Sequence, residues 1–154
     1  METVGVRYAG IPYTSLYAEG KWTQQGIDLY EKEVEDEATV FERLTDTNVD
    51  RRRYTFGFSS SPIRRLTFSG RYRLRSRAND YDHKIDTDPG YSAYIDRQEL
   101  DTNEIQAKAT ARMTTSLKAS VEYQLVKTKI DTLSQTTPPS SVESGNYTAD
   151  IYSL

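Results

Sequence analysis

The residues best suited to chemistry lie in Asp80-Tyr81-Asp82-His83-Lys84-Ile85-Asp86-Thr87-Asp88, which combines the chain's single histidine with four aspartates. Oxygen-rich spacing of this kind suggests a Ca²⁺ loop. An EF-hand loop needs Gly at its sixth position and an acidic residue at its twelfth. Counted from Asp80, those positions hold Ile85 and Tyr91; counted from Asp82, the sixth holds Thr87. A solvated acidic loop is therefore expected, with Asp80, Asp82, Asp86 and Asp88 as a weak Ca²⁺ candidate and no other metal site. A Ser-His-Asp triad would also have to use His83, and no strained serine motif accompanies it. The absence of cysteine removes disulfides, thiolate metal sites, covalent haem attachment and a Cys nucleophile. No Gly-rich phosphate loop, zinc signature or catalytic carboxylate pair stands out. No catalytic residue and no cofactor are expected, and the chain is not read as an enzyme. Asn146-Tyr147-Thr148 fits a glycosylation sequon, and the charge run Glu31 to Glu37 is read as a solvated loop.

A second chemical feature is a repeated stripe of cations. Arg53, Arg65, Arg71, Arg73, Arg75, Lys108, Arg112 and Lys118 occupy alternate positions of runs whose other positions are largely apolar. Net charge is -3, so the stripe does not belong to a globally basic surface, and no nucleic-acid partner is expected.

Three hairpins carry these runs. The first is Val4 to Tyr8, turning at Gly10-Ile11-Pro12 into Ser15 to Trp22. The second is Arg53 to Phe58, turning through Ser59 to Ile63 into Arg65 to Arg75. The third is Ile105 to Met113, turning at Thr114-Thr115-Ser116 into Leu117 to Val126. Their second strands share one frame: Leu16, Ala18, Gly20, Trp22 matches Leu66, Phe68, Gly70, Tyr72 and Leu117, Ala119, Val121, Tyr123. On a helix, the apolar residues of Arg65 to Arg75 would scatter around the 3.6-residue turn. A final strand begins near Tyr147, which makes about seven.

Polar segments at 23–50, 76–96 and 127–146 separate the hairpins and are expected as long loops, extending the flanking strands in part, as at Gln24 to Tyr30. A short helix over Asp36 to Leu44 is the alternative there. No stretch approaches the ~18 consecutive apolar residues of a spanning helix. Short turns at one end and long loops at the other match the architecture of bacterial outer-membrane barrels. The expected fold is all-β: antiparallel up-and-down hairpins in one segment, 1–154, forming a partial, open transmembrane β-barrel. Seven strands without a signal peptide suggest a mature segment or a fragment of a larger barrel.

In such a barrel the apolar set faces lipid: Tyr54, Phe56, Phe58; Leu66, Phe68, Tyr72, Leu74; the Ile105 to Met113 alternates; Leu117, Ala119, Val121, Tyr123, Leu125. Trp22, Tyr72 and Tyr123 form part of an aromatic girdle distant from the short turns. The cation stripe, with Thr55, Thr67, Ser69, Gln106, Thr110, Ser120, Glu122 and Gln124, lines a lumen. Twelve tyrosines against four phenylalanines and one tryptophan suit strands and wet interfaces alike.

Tyr8 to Leu16 followed by Glu19-Gly20-Lys21-Trp22, and the block Tyr54 to Asp80 with Ser61-Pro62, resemble hairpins of porin-like outer-membrane barrels, in particular those that sheathe multihaem cytochromes in electron-conduit complexes. That family's N-terminal cysteine pair is missing, and no cytochrome-contacting motif carries over. The resemblance implies a bacterial outer-membrane location and a channel or conduit scaffold. Its partners would be outer-membrane lipid and, inside, anionic solutes or an acidic protein. A soluble or surface-exposed β-sheet binding protein is the alternative.

Overall fold

The computed structural model describes residues 1–35, 38–86, 95–114, 117–134 and 144–153. These form seven strands: β1 (Glu2–Ile11), β2 (Thr14–Glu35), β3 (Ala38–Ile63), β4 (Leu66–Asp86), β5 (Ile95–Arg112), β6 (Lys118–Ser134) and β7 (Ser144–Ser153). They lie in one sheet in chain order, each antiparallel to the next. β1 and β7 form its edges, and the sheet is not closed. No helix occurs among the described residues.

The connections at one end are short. Ile11 pairs with Thr14, leaving Pro12-Tyr13 as the turn. Proline supplies the fixed φ of the second turn position, and Tyr13 takes φ 61° at the third, the arrangement of a type II turn. β3 and β4 join through Arg64-Arg65, with Ile63 opposite Leu66. Arg65 is therefore a turn residue and not part of a strand wall; its carbonyl accepts the Arg112 N–H at 2.7 Å. The turn lies beyond the expected Ser59 to Ile63, because Ser61-Pro62 forms an irregularity inside β3. The register shifts there, so proline's missing N–H removes no regular ladder bond. Between β5 and β6, Met113 and Thr114 donate their N–H groups to the Leu117 carbonyl, and the Leu117 N–H donates to Thr114 Oγ1. Thr115 and Ser116 lie outside the described residues.

At the other end the strands run much farther than expected. β2 has 22 residues, β3 26 and β4 21. The expected loops at 23–50, 76–96 and 127–146 are strand over most of their described residues, and the helix considered over Asp36 to Leu44 is strand from Ala38. The physical reason is that cross-strand hydrogen bonds do not depend on side-chain polarity, and Gln24 to Glu33 stays paired residue for residue with Phe41 to Asp50. Lys84 holds an ion pair with Asp46 in this extension; that hydrogen bond raises the lysine's pKa above its ordinary value.

The sheet has no interior in the ordinary sense. Among the described residues five side chains are buried, Thr45, Val49, Thr55, Asn79 and Glu104, and all lie on one face, the inner one. The opposite face leaves Val4, Val6, Leu16, Phe56, Phe58, Tyr72, Ile105 and Val121 exposed. Exposed apolar area of this extent marks an interaction surface, since soluble monomers rarely show it.

Candidate functional site

The register turns each face into rows that cross the strands. One row of the outer, exposed face is Val6–Ala18–Phe56–Tyr72–Ile105–Leu125–Asp150. The next row toward the short turns is Tyr8–Leu16–Phe58–Gly70–Ala107–Tyr123–Tyr152. Glycine at Gly70 makes room for the Phe58 ring, with which a β-carbon there would collide.

This apolar band is inclined. Its far edge lies at Trp22 on β2 and at Leu125 on β6. Trp22 pairs across to Ser76 of β4, whereas Leu125 pairs across to Tyr72. The edge has thus dropped four residues over four strand-to-strand steps. The near edge drops equally, from Leu16 on β2 (level with Gly70) to Ala119 on β6 (level with Leu66). A slope of one residue per strand corresponds to a tilt of about 35°, at ~3.3 Å per residue and ~4.8 Å between strands.

Above the band the outer face changes abruptly. Arg52, Ser76, Asp101 and Lys129 form the next row beyond Leu74, followed by Gln24, Asp50, Ala78, Glu99 and Asp131. The aromatic residues named from sequence sit along this edge, on the outer face. Trp22 Nε1 donates to the Tyr54 hydroxyl at 3.1 Å, with the rings edge-on at 5.8 Å. Tyr72 donates its hydroxyl to Asn103 Oδ1 at 3.3 Å and Tyr123 to Asp150 Oδ1 at 2.8 Å. Both acceptors lie one same-face row farther from the short turns, so the tyrosines keep their rings in the band and aim their hydroxyls out of it. Tyr54 was missing from the expected girdle; its place directly before the apolar alternates was the available signal.

The inner face carries the charge. Two adjacent rows read Glu19–Thr55–Arg73–Glu104 and Tyr17–Gly57–Arg71–Gln106. Glu104, 2% exposed, is the centre. It accepts from Arg71 Nη2 at 3.3 Å, from Arg73 Nη1 at 3.2 Å, and from Arg75. Three guanidiniums on one carboxylate leave a local surplus of positive charge. Glu122 accepts from Lys108 at 3.1 Å and from Gln106. Arg53 lies opposite Arg75 and Lys21. Arg112 and Lys118 pair at the short-turn end, both exposed. The structure thus brings Arg53, Arg71, Arg73, Arg75 and Lys108 onto one wall, places Arg112 and Lys118 at its rim, and leaves Arg65 in a turn.

Sequence reasoning missed Glu104, Arg51 and Arg77. Glu104 falls one residue before the expected strand start at Ile105, yet has the parity of Gln106 and Lys108. Arg51 and Arg77 extend the alternation of Arg53 and Arg75 into segments taken as loops. Of the Ca²⁺ candidate, Asp80 faces Arg97 at 3.5 Å, and Asp82 lies opposite Asp46. The Asp86 side chain and Asp88 lie outside the described residues, and no metal-capable cluster occurs among the described ones. No protein-family model matches the chain, and comparison with curated proteins finds no similar sequence.

Proposed function

We propose that this chain forms an arc of a bacterial outer-membrane β-barrel, with the apolar face in lipid and the basic face lining a water-filled passage. The observation that carries the proposal is the inclination of the apolar band. Strands of membrane barrels tilt by ~35–45°, and the outer face is apolar along a line inclined by about 35° to the register rows. On β4 the band runs from Leu66 to Leu74, nine residues, against the ~9–11 that cross a bilayer. Those residues cover ~26 Å along the strand and about 22 Å of height at that tilt, close to the ~25 Å apolar belt of such barrels.

The short turns are then the periplasmic end and the long paired extensions of β2–β4 project outward. Unpaired backbone cannot stand at a sheet edge in lipid, so β1 and β7 each require a further strand partner. Because β1 and β7 point the same way, an odd number of additional strands closes an all-antiparallel barrel. The chain's role is to wall a porin-like channel or conduit, not to catalyse a reaction.

Membrane partition tests this. Expressed with an export signal, the protein should fractionate with outer membranes and migrate differently on detergent gels with and without boiling. A monomer that stays soluble in buffer without detergent would replace this reading with a soluble or surface-exposed binding sheet.

A further inference from the structure

The inner face carries a second group of cations just above the Glu104 cluster, joined to it only through Arg75. Lys21, Arg53 and Arg75 lie directly opposite one another on β2, β3 and β4, and in the next inner row Arg51 lies opposite Arg77. Like charges paired directly across strands destabilise a sheet. Ordinary sheets relieve this by alternating sign, as Lys108 and Glu122 do on this same face. Here only Arg75 has a counter-charge, Glu104. Among the described residues Lys21, Arg51, Arg53 and Arg77 form no ion pair, and Arg77 Nε is satisfied by the neutral Asn79 Oδ1 at 2.9 Å. All five cations line one open groove of about 590 Å³, which Arg52 and Ser76 also border and no Asp or Glu lines.

We infer that this lattice binds a multiply charged oxyanion, a solute carrying two or more phosphate groups. The assignment as a solute site in a passage rests on the barrel reading; the lattice itself belongs to the sheet. Its geometry sets the ligand. Neighbouring cations stand ~5 Å apart across strands and ~7 Å apart along them, so one small anion touches only part of it. Anionic groups repeated at that interval engage all of it. Guanidinium forks suit phosphate because they bind two oxygens in parallel. The level matters too: the lattice sits at the row of Ser76 and Asp101, where the apolar band ends. It therefore lies at the outer boundary level of the apolar band, at the base of the β2–β4 extensions and on the face turned away from lipid headgroups.

The probe is inorganic tripolyphosphate, titrated calorimetrically into the protein in maltoside micelles at low ionic strength, with orthophosphate as the comparison. Tripolyphosphate should bind clearly more tightly than orthophosphate. Arg51→Gln/Arg53→Gln should weaken it about tenfold or more, given the strength of charged hydrogen bonds. Lys127→Gln/Lys129→Gln removes two charges at the same level of the outer face and should leave binding unchanged. Equal loss in both double variants would reduce the effect to net charge and overturn the site. Equal affinity for the two phosphates would overturn the multivalent ligand. Displacement of tripolyphosphate by added phosphatidylglycerol would overturn the solute assignment in favour of a lipid headgroup. Should the chain prove soluble, the barrel reading fails alone, and the same titration in plain buffer still decides the site.

Discussion

A single arginine moved by one residue tests the assignment of the two faces. Ala109 stands at the middle of the apolar band on β5, level with Phe68 and Val121, and faces outward. Its neighbours Lys108 and Thr110 face inward, where Lys108 already pairs with Glu122 at 3.1 Å. An arginine on the lipid face at the midplane costs roughly 2–4 kcal/mol, falling to about 0–1 kcal/mol near the interface. Ala109→Arg should therefore shift the folding equilibrium by roughly 30- to 800-fold, whereas Thr110→Arg should change it little. Depth gives a second axis on the same face. Asp101 lies eight residues from Ala109 on β5, about 22 Å higher at a 35° tilt, beyond the band. Asp101→Arg should be tolerated. The assay is urea unfolding from lipid vesicles, followed by the emission of Trp22, the only tryptophan. Equal penalties for Ala109→Arg and Thr110→Arg would refute the assignment of faces. Equal penalties for Ala109→Arg and Asp101→Arg would refute the band.

Two further outcomes follow from the same geometry. Glu104→Gln removes the carboxylate shared by Arg71, Arg73 and Arg75, whose side chains are 22–42% exposed. Partial solvation lowers the 3–5 kcal/mol expected for breaking a fully buried pair to about 1–3 kcal/mol, readable as a lower urea midpoint. In planar bilayers the same change should raise anion over cation permeability, and an unchanged ratio would separate Glu104 from the passage. Trp22 emission should be quenched more strongly by lipids brominated near the headgroup than by lipids brominated near the chain end; the reverse order would move Trp22 away from the rim.

Much of the fold was legible because the band imposes a period of two. Leu66, Phe68, Tyr72 and Leu74 alternate with Thr67, Arg71 and Arg73, and that contrast gives both the strand and its faces. The same signal fades beyond the band, where the outer face is polar. Gln24 to Tyr30 reads as a strand extension, whereas Asn79 to Ile85 reads as loop although its ladder continues and Asn79 is buried. Turn placement failed for a related reason: Ser61-Pro62 carries turn chemistry but sits in a register irregularity, and Arg64-Arg65 makes the turn without any turn-favouring residue. The basic wall was visible as spacing, but its organisation around Glu104 was not. That depends on which strand lies beside which, and the pairing of Arg73 with Glu104 joins residues 31 positions apart.

The chain contains no cysteine, so its two-sidedness can be read one residue at a time. Single cysteines placed in turn at positions 66 to 80 of β4, in protein inserted into vesicles, would be exposed to a small hydrophilic thiol reagent. The predicted profile alternates: inner positions such as Ser69, Arg71 and Arg73 react, and outer positions such as Phe68, Tyr72 and Leu74 are protected. From Ser76 onward the outer positions react as well. Uniform reactivity along the whole strand, or protection of the arginine face, would contradict the account.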